Sequence, residues 1–358
     1  MILPSTWEEK IARCRSFWEG KSVDRLMIGA LIRPDIFPEQ IKASDGEPIL
    51  PESIDIPGFL EFYETEYASW QYLLGDLPYV ATPASGDPWG LPWMEAILGC
   101  PIRRSGLHAW ADAWLSDWNL IESIRLAPQD NPWLEKLLEF IDALIYLSAG
   151  RFPIGTCLMR GPSDLARAMR EGKQFGFDLI EAPEKTSRLL EFCARSWVKA
   201  ARLQLERLPW FNRGKVSGLL PMWAPGNALV TQEDASFYFS PSRYASMLFP
   251  ADRIILQSFD YPIFHLHSGY VHILDDLLRL DWKGAIDLSR DPNGPSLETL
   301  IPILEKIQNS GKRLIFHGSF SVEEIQFIKK SIQPVGTCLM LSVQSVSEAN
   351  QLLEPFIA

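Results

Sequence analysis

The stretch "YPIFHLHSGYVHILDDLLRLDWKGAIDLS", from Tyr261 to Ser289, governs how the rest of the chain is read. It opens on a short apolar run, Tyr261–His267, and crosses a Ser-Gly turn. A helical pattern follows, and then a second apolar run at Gly284–Ser289. Short apolar runs bounded by turn residues are buried strands, and strand–helix–strand at this spacing is the repeating unit of a parallel sheet. The stretch also holds His265, His267 and His272, three of the chain's five histidines. His265 and His267 are two apart, so on a strand they share a face. His272 falls in the helical pattern, where packing or solvent contact is the expected role.

The same alternation runs through the chain. "RLMIGALI" (Arg25–Ile32), "PYVATP" (Pro78–Pro83), "FPIGTCLM" (Phe152–Met159) and "KVSGLLPMW" (Lys215–Trp223) precede the stretch, and "KRLIFHG" (Lys312–Gly318) and "GTCLMLSV" (Gly336–Val343) follow it. With the two runs inside it, these make eight strand candidates. Helical patterns separate most of them. Ser-x-x-Glu capping boxes are expected at Ser5/Glu8, Ser321/Glu324 and Ser345/Glu348. "SPSRYASMLF" is expected to form a helix with Ser240 as its cap. Eightfold strand–helix alternation predicts an α/β fold, a single (β/α)8 TIM barrel. No Gly-rich phosphate fingerprint follows the first strand, which disfavours a doubly wound sheet.

The bulk composition fits. The chain has 358 residues, 47% of them hydrophobic, enough for one large core. One domain over 1–358 is expected, with 34–150 as an N-terminal excursion of helical, Trp-rich, lid-like insertions. A net charge of −11 argues against nucleic acid or an anionic membrane as partner. Five scattered cysteines without a CxxC read as reduced thiols of a cytoplasmic protein. The N-terminus lacks the pattern of a signal peptide, and no apolar run is long enough to span a bilayer.

Barrel chemistry sits at the C-terminal ends of the strands. His265 and His267 end the fifth candidate and His317 ends the seventh, so three imidazoles are expected on one rim. They are read either as zinc ligands, with His265 and His267 as the pair, or as polar groups that hydrogen-bond substrate or one another. Asp287 ends the sixth candidate. Asp234 follows the fourth and is either an acid/base group or a loop carboxylate. Arg160 is placed to anchor a substrate anion or to brace its own loop. Trp89, Trp93 and Trp223 stand nearest strand ends and are candidates to line an apolar pocket. Glu95 is read either as reaching the pocket or, preferred, as facing solvent from a first helical turn.

"MRGPSDLARAMREGKQFGFDLIEAPEKTSRLLEFCA" (Met159–Ala194), "QEDASFYFSPSRYASMLFP" (Gln232–Pro250) and "HLHSGYVHILDDLLRLDWKGAIDLS" together resemble the uroporphyrinogen decarboxylase superfamily. The resemblance covers roughly residues 150 to 355. It implies a (β/α)8 barrel and an activity of methyltransferase or decarboxylase type. The superfamily includes the tetrapyrrole decarboxylase, corrinoid- and coenzyme M-dependent methyltransferases, and cobalamin-independent methionine synthase. Its methyltransferases bind zinc through a His-x-Cys strand end and a late cysteine. His265 matches that histidine and His267 stands at the cysteine, while the late cysteine has no counterpart. The Arg-Gln-Ala-Gly-Arg motif of the decarboxylase is missing, and Arg33 alone follows the first strand. The resemblance thus implies methyltransferase-type one-carbon transfer, with zinc as candidate cofactor. Tetrapyrrole decarboxylation is the alternative, and non-catalytic binding of a corrinoid, a porphyrin or a corrinoid protein is another. The expected partners are a small-molecule substrate of corrinoid or tetrapyrrole kind, a corrinoid protein, and a second copy of the chain in a homodimer.

Overall fold

The structure is a computed structural model that describes residues 3–32, 40–84, 90–106 and 108–357. Its strands, in chain order, are β1 (Met27–Ile32), β2 (Pro48–Ile49), β3 (Ile102–Ser105), β4 (His108–Ala111), β5 (Lys215–Val216), β6 (Trp223–Ala224), β7 (Ala228–Gln232), β8 (Tyr261–His267), β9 (Ala285–Ser289), β10 (Arg313–Gly318) and β11 (Thr337–Val343). Six of them form one parallel sheet in the order β1-β11-β10-β9-β8-β7. Five of these six coincide with expected strands.

The sixth, β7, was not expected. "ALVTQ" is short, follows a Gly-Asn turn and ends in polar residues, yet every one of its residues is buried. The expected fourth strand is instead a small antiparallel hairpin, β5 against β6. Pro221 removes a ladder donor between them, and the hairpin does not join the hydrogen-bonded ladder of the main sheet. "PYVATP" and "FPIGTCLM" meet only at a parallel bridge between Ala81 and Ile154. Their prolines, Pro78, Pro83 and Pro153, lack a ladder donor in the same way.

These irregular segments still lie side by side between β1 and β7. The Asp76 amide donates to Ile28 O (2.9 Å), and the Gly155 amide donates to Ala81 O (2.9 Å). A Cβ on Gly155 would stand 2.6 Å from Gly218 Cα, so two glycines are needed where these backbones touch. β5 in turn contacts β7.

The sheet's two faces differ. Phe264, Leu266, Ile286, Leu288, Phe316 and Leu339 point to the surrounding helices in the larger core. Alternate residues Ile263, Ala285, Ile315, Cys338 and Met340 pack on the other face with Ile11, Cys14 and Trp18 of helix Trp7–Glu19. Each such large apolar side chain contributes about 1.5–3 kcal/mol on burial. The helix is pinned across the N-terminal strand ends, where Trp18 Nε1 donates to Trp223 O (2.7 Å) and Arg313 Nε donates to Trp18 O (3.0 Å). Its capping box uses Thr6 and Glu9, one residue later than expected. The boxed Ser321 begins helix Val322–Ser331 as expected.

Insertion 34–150 holds helices Ile56–Trp70 and Pro132–Ser148, and also the unexpected antiparallel sheet β2-β3-β4. "SPSRYASMLF" is not a regular helix. It widens into a π-turn at Tyr244–Leu248, where the Phe249 amide reaches Tyr244 O. Pro250 beside it has no N–H to continue the normal ladder. All five cysteines are free and buried. Among the described residues, no helix is long and apolar enough to cross a membrane.

Candidate active site

Register gathers the polar groups at one end of the sheet. In the parallel ladders His265 lies beside Gln232 on β7 and Asp287 on β9, while His267 and His317 both flank Ser289. On β8 the inward series Ile263, His265, His267 runs from apolar core to polar rim. Ala285, Asp287 and Ser289 do the same on β9, as do Ile315 and His317 on β10.

Asp287 sits between two histidines. Its Oδ2 is 2.5 Å from His265 Nδ1, and its Oδ1 is 2.7 Å from His317 Nδ1. Burial alone would raise this carboxyl, but the charge of His317 and the hydrogen bonds from His265 and His317 outweigh it. They hold Asp287 well below the ordinary carboxylate range. His267 Nδ1 is 2.5 Å from Asp291 Oδ1. Burial opposes ionisation of Asp291 as well, and the bond from His267 prevails and lowers its pKa. Ionised carboxylates only accept, so each of the three Nδ1 atoms carries a proton.

That assignment has a consequence at the opposite nitrogens. His265 Nε2 and His267 Nε2 face each other at 3.2 Å. With both Nδ1 atoms protonated, two neutral rings would oppose lone pair to lone pair. The contact requires either a proton between the rings, which makes one an imidazolium, or a shared cation. Two imidazole nitrogens on one tetrahedral zinc stand about 3.3 Å apart. The carboxylate behind each ring is the arrangement that orients metal-bound histidines.

Asp234 completes a triangle with them, its Oδ1 lying 3.7 Å from His267 Nε2. Donor atoms of Asp234, His265 and His267 lie within 4.8 Å of one another. Tyr270 donates to Asp234 Oδ1 (2.5 Å) and Gln232 Nε2 donates to Oδ2 (2.7 Å), so the carboxylate is aimed. Burial and the adjacent Asp234 charge push the Tyr270 phenol up, keeping it a donor. His265, Asp287 and His317 form a second such group. Its separations of 2.5 and 2.7 Å are those of hydrogen bonds, shorter than two ligands of one metal allow.

The loop bearing Asp234 is fixed from behind. Asp164 accepts from the amides of Asp234 (3.1 Å) and Ala235 (2.8 Å), and the Ser163 amide donates to Glu233 (3.0 Å). Burial and the nearby Asp234 charge raise the Asp164 pKa. Burial and the charges of Asp252 and Asp164 raise that of Glu233. Gly161 makes this approach feasible, since a Cβ there would fall 1.7 Å from Gln232 O.

His265, His267, His317 and Gln232 line a cavity of about 550 Å³, together with Tyr63, Glu66, Trp70 and Tyr79. Of the residues singled out in the sequence, His265, His267, His317 and Asp234 come together. Trp93 does not join them. It is fully buried, donates to Pro83 O (3.0 Å) and packs on Trp133. Trp223 is equally buried but belongs to the core under helix Trp7–Glu19, away from the histidine rim. Its expected position rested on a fourth strand that β7 replaces. Arg160 pairs with Glu95 at 2.9 Å, which makes Glu95 a buried partner rather than a solvent-facing residue. His272 lies in the 3-10 turn Ser268–Ile273. Trp89 lies outside the described residues. Asp291, Tyr270, Gln232 and Glu66 were not singled out. Asp291 carried a faint signal, following Asp287 by four residues just past a strand end.

No protein-family model matches the chain, and no curated protein matches it. Among solved structures it is similar to a methyltransferase from Methanosarcina mazei. That likeness has a TM-score of 0.67 at 13% identity and covers 98% of this chain and 99% of the other. It defines a shared α/β fold built on parallel strands and extends over essentially the whole of both chains.

Proposed function

We propose that this chain is an enzyme of methyltransferase type, of the uroporphyrinogen decarboxylase superfamily kind, working at the C-terminal strand ends. In this reading the six-stranded sheet and the irregular segments 76–82, 153–159 and 215–219 make one closed (β/α)8 barrel domain. The fold likeness to a methyltransferase supports the class. The facing pair His265 Nε2 and His267 Nε2 at 3.2 Å, each ring held by its own carboxylate, carries the assignment of the reacting centre.

The donor set fits zinc, with His265, His267 and Asp234 as its ligands. Zinc so held would supply a Lewis acid that lowers the pKa of a thiol or water. The chain's own groups do the rest. Asp287 and Asp291 keep the Nδ1 protons in place and present both Nε2 atoms to the cavity. Tyr270 and Gln232 hold Asp234 in line with them. The apolar walls limit access of water to the rim. Replacing the superfamily's cysteine by His267 leaves fewer negative ligands, so more of the cation's charge remains to polarise what it binds.

Among the described cavity residues there is no Lys or Arg, and Arg160 is engaged by Glu95. A polycarboxylate tetrapyrrole would find no guanidinium or ammonium groups there to pair its several carboxylates, so decarboxylation is the weaker reading. Metal analysis of tag-free protein beside His265→Ala, with methylcobalamin and a thiol acceptor assayed in parallel, tests the proposal. One zinc per chain and thiol-dependent methyl loss are expected in the wild type, and both vanish in the variant. Neither metal nor methyl transfer in the wild type would overturn it.

A further inference from the structure

The cavity has a second ionisable feature, carried by a different element from the histidines. Glu66 lies on helix Ile56–Trp70, three residues from Tyr63 and four from Trp70, and its charge acts on Tyr79 of the same cavity lining. Among the described residues lining the cavity it is the sole Asp or Glu. Its neighbours on the helix differ, since Glu64 is paired outside with Arg151. The tyrosine hydroxyls beside Glu66 are committed elsewhere. Tyr63 donates to Thr82 O, and Tyr79 donates to Tyr63 O (3.2 Å). Burial pushes the Glu66 carboxyl up to about 8. A half-buried carboxyl on a largely aromatic and aliphatic wall adds little to the stability of the fold, and a group so placed is a candidate to pair with a ligand.

We propose that Glu66 is the specificity group of this pocket and that the ligand is a small molecule bearing a protonated amine. Its ammonium pairs with Glu66 among Tyr63, Trp70 and Tyr79, and its remaining part extends toward the His265–His267 rim. The described lining holds no Lys or Arg, so positive charge is confined to the histidine rim, and the aromatic wall around Glu66 suits an organic cation. Near neutrality Glu66 carries a proton until the cation arrives, so binding releases that proton. Tyr79 is the titratable group beside it on another segment, with Tyr63 and Tyr67 on its own helix. This inference names the substrate class of the site proposed above and rests on that reading for its chemistry alone.

The test is calorimetric titration with benzylamine, benzyl alcohol and benzoate, each in two buffers of different ionisation enthalpy at neutral pH. Benzylamine should bind with release of a proton to buffer, and the alcohol and the benzoate at least tenfold more weakly. Glu66→Gln should lose about ten- to a hundredfold for benzylamine, the span of a charge-assisted hydrogen bond, and little for benzyl alcohol. Equal benzylamine affinity in both proteins, benzoate binding as tightly as the amine, or no benzylamine binding in the millimolar range would each overturn the inference. Binding is read directly, so the result stands whether or not methyl transfer is found.

Discussion

Asp287→Asn is the substitution that separates a histidine network from a set of neighbouring polar residues. The wild-type carboxylate accepts from His265 Nδ1 at 2.5 Å and from His317 Nδ1 at 2.7 Å, and it is fully buried. Asparagine keeps one accepting oxygen and puts an NH₂ where the second oxygen was. One imidazole then meets a donor with its own N–H. It must shift its proton to Nε2 or leave the site. The loss comprises a charge-assisted hydrogen bond, about 1.5–3 kcal/mol, and an unsatisfied buried donor, about 1–3 kcal/mol. A destabilisation of about 3–5 kcal/mol is expected in urea or thermal unfolding. A shift of the His265 proton to Nε2 would also remove a ligand lone pair, and loss of an outer-shell partner weakens metal about 10–100-fold. The pH dependence gives an independent reading. A carboxyl lowered by folding stabilises above its unfolded value of 3.8, and that stability disappears as pH falls below it. The variant should therefore lose less stability on acidification than the wild type. A change under about 1 kcal/mol with metal affinity unaltered would refute the role assigned to Asp287.

Three further outcomes follow from the same geometry. Tyr270→Phe frees Asp234 Oδ1 from its 2.5 Å partner and should weaken metal about tenfold in a competition titration, with the melting temperature little changed. Gly161→Ala drives a methyl to within 1.7 Å of Gln232 O, so the Gln232–Asp234 loop must move. A destabilisation of about 3 kcal/mol or more by thermal unfolding is expected, with metal loss even where the variant folds. Glu66→Gln removes a carboxyl that folding raises from 4.5 to about 8. Between those values the folded chain holds a proton the unfolded chain has released, so wild-type stability falls as pH rises across the window. The variant should unfold later than the wild type above pH 8 and alike near pH 4, by thermal melts across that range.

The parallel strands that carry the rim were legible because each is a short, largely apolar run between turn residues. That pattern depends only on local burial on both faces. The same-face placement of His265 and His267 follows from strand periodicity alone. Trp93 and Trp223 were misplaced for a shared reason. Being aromatic near a strand end says how much surface a residue buries, and not which core receives it. β7 escaped notice because five residues ending in Thr-Gln look like a loop until neighbours cover them.

The sequence by itself determined an α/β chain, five of the six strands of its parallel sheet, a histidine pair on one strand face and a third histidine two strands later. Covalent spacing and hydrophobic pattern suffice for that. Tertiary structure alone decided that Asp287 joins His265 to His317, that Asp291 and Tyr270 set the rest of the rim, and that Glu66 lines the same cavity. Those pairings span 22 to 36 residues within the rim and about 200 between Glu66 and the histidines. They are fixed by strand register and by which helix face meets the sheet, neither of which leaves a local trace in the chain.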